Sequence, residues 1–203
     1  MNFPLALTVS RLVFAVAIGA ILVTESLPLR GTAAAIAFIV AAATDFFDGR
    51  LARAWNQKTE LGAFIDPLAD KLLVYLSFMY LTVVGVYPVW LLMAHFVRDI
   101  GVDSLRAYAA GKGVSMPANV PGKWKSFLQM GSIALVLVLV ALTELQRTTE
   151  WGNAAFEAAV GSVAFEAAFA AVFWLMLASA AVGYVSMAQY FSEAGRPLFR
   201  FRS

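Results

Sequence analysis

Apolar residues run along this chain in long stretches, and the polar positions gather between them. Six such stretches stand out, near residues 12–23 (extended on the N-terminal side), 32–51, 63–84, 88–109, 127–142 and 165–187. A helix needs about 20 mostly apolar residues to cross a bilayer. The pattern therefore predicts an all-α integral membrane protein with six transmembrane helices. Arg11 interrupts the first stretch, so residues 2–10 are expected to form an N-terminal interfacial helix lying among the headgroups. Residues 151–164 read as a second interfacial helix that feeds the last span. The connections are short and no internal repeat is visible, so residues 1–203 are read as a single domain.

Composition agrees with that reading. Hydrophobic residues make up 61% of the 203 and charged ones only 14%, with a mean hydropathy of +0.77. Soluble domains lie nearer half apolar and a quarter charged, so the excess faces lipid. The absence of cysteine excludes disulfides and thiolate metal sites. A pI near 9.0 would suit a nucleic-acid partner, but in a membrane chain the placement of the basic residues carries the information, and no nucleic-acid partner is expected. With six spans both termini fall on one side. That side holds Arg11, then Arg50, Arg53, Lys58 and Lys71, then Arg98, Arg106, Lys112, Lys123 and Lys125, and finally Arg196, Arg200 and Arg202; Arg30 and Arg147 stand alone on the other. The positive-inside rule then puts both termini in the cytosol, with the last three arginines on anionic headgroups. The first ten residues carry no Lys or Arg, so a cleaved signal peptide is not expected.

Charge inside the apolar pattern points to chemistry. Asp45 and Asp48 are three apart near the end of the second stretch, and Asp66 and Asp70 four apart near the start of the third. On helices each pair shares a face, and antiparallel neighbours bring both pairs to the same, cytosolic, end. Four carboxylates cannot converge uncompensated at a membrane. Hard oxygen donors without His or Cys favour Mg²⁺ or Mn²⁺, and two such ions can clamp the attacking and leaving oxygens of a phosphoryl displacement. Gly49, Ala52 and Gly62 keep the helix surfaces thin enough for a ligand to approach, and Arg53 sits about one turn from Asp48, where a guanidinium can hold a diphosphate. Pro67 is expected in the first helical turns of the third span, where its missing N–H costs little. Salt bridges with Arg50, Arg53, Lys58 and Lys71 are the plainer use of these acids. They leave the glycines and the arginine in register unexplained.

The spacing Asp45-x2-Asp48-Gly49-x2-Ala52-Arg53-x8-Gly62-x3-Asp66-x3-Asp70 resembles the full signature of the CDP-alcohol phosphotransferases. Asn2, Pro4, Leu7, Thr8 and Arg11 look like that family's N-terminal segment. Thr44, Thr59, the run from Asp66 to Lys71, Arg98-Asp99, Leu105-Arg106 and Gly122-Lys123-x-Lys125-Ser126 are similar to its bacterial phosphatidylglycerophosphate synthases. The resemblance, over about residues 2–135, implies a six-helix membrane enzyme, a homodimer of the bacterial inner membrane with a cytosol-facing polar cavity. It implies CDP-diacylglycerol as donor and glycerol 3-phosphate as acceptor. It makes Asp45, Asp48, Asp66 and Asp70 ligands of two metal ions, with Asp70 also the base for the acceptor hydroxyl. Thr8, Arg11, Gly49, Ala52, Arg53, Thr59 and Gly62 would contact the CDP-lipid.

A phosphorylated acceptor needs cations of its own. Arg98 and Arg106 are eight apart on one helical face, and Lys123 and Lys125 enter the fifth span from the same side. Together they are the expected acceptor-binding anion pocket; positive-inside anchoring, or pairing with Asp99 and Asp103, is their alternative use. Asp99 stands where many of these synthases carry Glu, Asp103 is an extra acid, Ser126 replaces a threonine, and Pro117 and Pro121 make an unusual loop. These departures lie where the acceptor should be chosen, so another acceptor, inositol phosphate or another alcohol, is the alternative. A divalent-cation transporter is the reading from another class, but its acids belong near the midplane between repeats. The lone His95 is expected to be a satisfied packing residue rather than a ligand.

Overall fold

The computed structural model describes the backbone of residues 3–55, 60–148 and 158–198 and the side chains of residues 9–44, 65–148 and 158–193. Six long helices follow one another: α1 (Phe3–Val23), α2 (Arg30–Trp55), α3 (Glu60–Val83), α4 (Val89–Gly111), α5 (Val120–Thr148) and α6 (Val163–Leu198). No strand occurs among the described residues. Each helix coincides, to within one residue at a boundary, with all or most of one of the six apolar stretches. Among the described residues α5 and α6 are long and apolar enough to cross a membrane, and α1 and α2 contain the shorter apolar runs Val9–Val23 and Arg30–Thr44. Helix α1 passes through Arg11 as one helix.

The chain divides into two compact units. The first comprises Met1–Tyr87 and Ile133–Ala170. In it α1 packs against both α2 and α3, around the fully buried Ala15, Ile18, Ala34, Phe38, Ala41, Leu73, Phe78 and Leu81. The small residues on α1 and α2 let the backbones approach closely, as in packing between membrane helices. The first turn of α2 has orphan N–H groups, and a carboxylate from α5 satisfies them. Gly31 N–H donates to Glu144 Oε1 at 3.1 Å, and the Thr32 N–H and hydroxyl donate to Oε2 at 2.8 and 3.1 Å. A negative charge here also opposes the positive end of the helix dipole.

Only glycine fits at residue 31. A β-carbon there would lie 2.8 Å from Val140 Cγ1 and 3.2 Å from both Glu144 Oε2 and the Tyr80 hydroxyl. Gly31→Ala is therefore expected to lower stability by about 1–3 kcal/mol, the range for overpacking. Thermal unfolding in detergent reads this directly, and an unchanged midpoint would mean that α2 and α5 do not pack this tightly.

Pro67 requires a correction. It is not in the first turns of its helix, because α3 begins at Glu60 and holds Pro67 in its interior. The carbonyl of residue 63 therefore loses its i+4 donor, an interior defect of about 3 kcal/mol. Burial of Ala69 and Leu73 just beyond it helps to hold the helix through the defect.

The second unit comprises Pro88–Ser132 and Ala171–Ser203. Val102, Leu105 and Tyr190 form its apolar centre, with Met116 and Met187 packed against them. The Tyr190 hydroxyl accepts from Asn119 N–H and donates to Pro117 O, both at 2.9 Å, which pins the connection between α4 and α5 to α6. His95 is buried, its Nε2 3.4 Å from Met176 O and 3.3 Å from the Ser179 hydroxyl.

Candidate active site

Helix α2 carries Asp45 and Asp48 in its second half. Thr8, Asp45, Asp48, Gly49, Ala52, Arg53 and Gly62 lie outside the residues whose side chains are described, and Thr59 lies outside the described residues altogether. The other half of the quartet is visible. Asp66 and Asp70 stand one turn apart on α3 and are partly exposed, while Ala69 between them turns into the core. That burial fixes which way the two acids face.

Arg11 meets this pair from α1. Its side chain is almost wholly buried, and Nη1 donates to Asp70 Oδ1 at 2.5 Å. Two residues expected in different roles are thus in direct contact, Arg11 on the donor side and Asp70 as base. The Asp70 side chain keeps 46% of its surface open, so a ligand can still reach the carboxylate. Among the described residues no group of three or more His, Asp or Glu gathers into a metal cage. The fit to a divalent cation rests on the donor type: hard oxygens at i, i+4 on a partly open helix face, with no soft ligand beside them.

The four cations expected to hold an acceptor separate into two kinds. Arg98 on α4 is 8% exposed and commits one N–H from each of its three nitrogens: Nε donates to Gly183 O at 3.0 Å, Nη1 to Asp99 Oδ1 at 2.8 Å, and Nη2 to the Ser186 hydroxyl at 2.9 Å. Lys125 on α5 is 4% exposed and reaches both oxygens of the same Asp99, at 2.8 and 2.7 Å. Arg98 and Lys125 are therefore brought together, on a shared carboxylate. Arg106 and Lys123 do not join them. Arg106 is exposed, with Nε donating to Met116 O at 3.1 Å. Lys123 is exposed beside Val120, Trp124 and Phe127, around a cavity of about 280 Å³.

Sequence reasoning missed the frame that holds the buried pair. The Ser186 hydroxyl passes the chain of hydrogen bonds from Arg98 on to Asn119 Oδ1 at 2.6 Å, and Gly122 N–H donates to the same oxygen at 2.9 Å. Asn119 Nδ2 ties back to Ser186 O and Gln189 Oε1. A β-carbon on Gly183 would lie 3.1 Å from Lys125 Cγ and 3.4 Å from Arg98 Nε, so this glycine makes room for both cations. The signal available in the sequence was the pair Arg98-Asp99, opposite charges side by side within an apolar helix.

Comparison with known proteins adds a family and several relatives. The sequence model of the CDP-alcohol phosphatidyltransferase family matches residues 1–191. The chain is similar to the CDP-diacylglycerol–glycerol-3-phosphate 3-phosphatidyltransferase of Bacillus subtilis, 40% identical over 114 residues, 56% of this chain and 59% of that one. It is similar to the proteins of the same name in Cereibacter sphaeroides, 32% identical over 154 residues (74% and 70% of the two chains), and in Escherichia coli K12, 38% identical over 143 residues (67% and 76%). The chain thus spans about six-tenths to three-quarters of the length of these relatives.

Proposed function

The chain belongs to the CDP-alcohol phosphatidyltransferase family, and from that premise we propose that it transfers the phosphatidyl group of CDP-diacylglycerol to glycerol 3-phosphate, giving phosphatidylglycerol phosphate and CMP. The observation that carries this reading is the similarity to three bacterial proteins, each named for that reaction, at 32 to 40% identity. The buried Arg98–Asp99–Lys125 cluster supports a phosphorylated acceptor.

In this reading Asp45, Asp48, Asp66 and Asp70 hold two divalent ions, Mg²⁺ or Mn²⁺, which when bound neutralise the diphosphate and the departing CMP. Thr8, Arg11, Gly49, Ala52, Arg53, Thr59 and Gly62 receive the CDP-lipid, the glycines and alanine by leaving space and the arginines by charge. Asp70 takes the proton of the acceptor hydroxyl. The hydroxyl oxygen then bonds to the lipid-side phosphorus, and the bond from that phosphorus to the CMP oxygen breaks with its electron pair. Arg11 holds the Asp70 carboxylate in place. Arg98 and Lys125 engage the acceptor's phosphate within the frame set by Asp99, and the exposed Arg106 and Lys123 draw the anion toward it. The enzyme is a homodimer in the bacterial inner membrane, each chain one domain of six spans with a leading interfacial segment. Both termini and the active site are cytosolic, and membrane lipids surround the spans.

Purified protein in detergent tests this with CDP-diacylglycerol and a panel of alcohols. CMP release is expected with glycerol 3-phosphate and Mg²⁺ or Mn²⁺, and a chelator is expected to abolish it until metal is restored. Product from inositol phosphate with none from glycerol 3-phosphate would overturn the acceptor. Release that persists after chelation would overturn the metal site.

A further inference from the structure

In the first unit, about 15 Å along α3 from Asp70, lies a second cavity of about 570 Å³, between the start of α2, the ends of α3 and α5, and Phe169 of α6. Its walls are divided in character. Val83, Val86, Val140 and Phe169 are apolar lining residues, and Arg30 and Arg147 are cationic ones. These arginines are the two basic residues that the span pattern sets apart from all the others. They come from helices far apart in the sequence, yet they line one cavity.

Glu144 also lines this cavity, but its carboxylate is already engaged by the N–H groups of Gly31 and Thr32 and by the Thr32 hydroxyl. Among the described residues neither Arg30 nor Arg147 takes part in an ion pair or a side-chain hydrogen bond. Two guanidiniums beside a single committed carboxylate leave the cavity with an excess positive charge, and a guanidinium fork matches phosphate oxygens. A small inorganic anion would use the arginines and leave the valine and phenylalanine walls wet. An amphiphile with a phosphodiester head and a hydrocarbon tail uses both kinds of residue.

We propose that this cavity binds an anionic phospholipid, its phosphodiester on Arg30 and Arg147 and an acyl chain along Val83, Val86, Val140 and Phe169. The site is separate from the aspartates and needs no turnover. Its assignment to the leaflet opposite the active site rests on the six-span topology proposed above, while the binding itself does not.

Native mass spectrometry of the full chain tests the proposal, with phosphatidylglycerol or phosphatidylcholine of matched acyl chains added to the detergent. Wild type is expected to retain phosphatidylglycerol in preference to phosphatidylcholine. Arg30→Gln and Arg147→Gln are each expected to weaken phosphatidylglycerol retention about tenfold, the loss of one charge-assisted contact. Arg147→Lys, which keeps the charge without the fork, should fall between. Asp70→Asn should retain the lipid as wild type does, which separates this site from a donor lipid at the aspartates. CMP release by the two Gln variants should be unchanged, so a failure here leaves the proposed reaction standing. If either Arg→Gln variant fails to fold, Val86→Glu puts a like charge into the same cavity from its apolar wall and should give the same loss. Equal retention of the two lipids, full retention in the variants, or displacement by an equal concentration of inorganic phosphate would each overturn the proposal.

Discussion

Asp70→Asn is expected to cut CMP release by about 10³-fold at saturating metal and substrates, with the folded protein intact. Asparagine keeps the shape of the side chain, and its Oδ1 can still accept from Arg11 Nη1, the contact seen in the structure. What it loses is the negative charge and the ability to take a proton. General base catalysis is commonly worth 10²–10⁴-fold, and under the proposed reading the variant also takes a charged ligand away from the metal site. The two roles separate by titrating metal. If the variant regains most of its rate at high Mn²⁺, Asp70 is a ligand and the base lies elsewhere. If the rate stays low with metal bound, Asp70 carries the proton. A rate within tenfold of wild type under all conditions would remove Asp70 from the chemistry. Arg11 gives a companion test. With its side chain nearly buried, Arg11→Gln should lower activity less than Asp70→Asn, because it disturbs where the carboxylate points and leaves the carboxylate itself.

The second large effect is expected at Asp99. Both oxygens of its carboxylate receive Lys125 Nζ, and Oδ1 also receives Arg98 Nη1. Asp99→Ala takes away the acid to which two buried cations donate. Breaking a buried ion pair from one side costs about 3–5 kcal/mol, because the other charge stays behind. Denaturation in detergent should show a loss of that size, against about 1 kcal/mol for Ser186→Ala, which removes a hydroxyl partner. The double variant Asp99→Leu, Lys125→Met should recover part of the stability, since an apolar replacement of a buried pair is often tolerated, yet it should not recover transfer to glycerol 3-phosphate. Additive losses in the double variant would mean that Asp99 and Lys125 are not coupled. A raised KM for glycerol 3-phosphate with little change in kcat would mark a smaller change, such as Arg106→Gln, as acting at the approach to the pocket.

The contrast between these two sites shows what the sequence could convey. The apolar runs of the sequence fall on the six long helices, two of which, α5 and α6, are long and apolar enough to cross a membrane among the described residues. Asp66 and Asp70 share a face because four residues make about one turn, and no tertiary information is needed for that. Pro67 was misplaced because α3 already begins at Glu60, and run length does not encode where a helix starts. The division among the four cations was hidden for a related reason. Arg98, Arg106, Lys123 and Lys125 look equivalent by sign and by position near span ends. Which of them turns inward depends on Gly183 leaving space and on Ser186 and Asn119 providing partners, all from segments distant in sequence. Asp99 read as a departure from the family's usual residue. In the structure it is the carboxylate that joins Arg98 to Lys125.

The contact between Glu144 and the start of α2 also has a consequence in time. Thr32 and the carboxylate that receives its N–H are 112 residues apart. At about 5–20 residues per second of synthesis, α2 leaves the ribosome about 6–20 s before its cap exists. Until then its leading amides must be satisfied by water or by other polar groups. The arrival of α5 releases it from that requirement, so the early helices settle into their final packing only when a late one supplies the missing acceptor. A chain halted before residue 144 would keep α2 in its provisional state, open to quality-control proteases although all the residues of the aspartate quartet are already present.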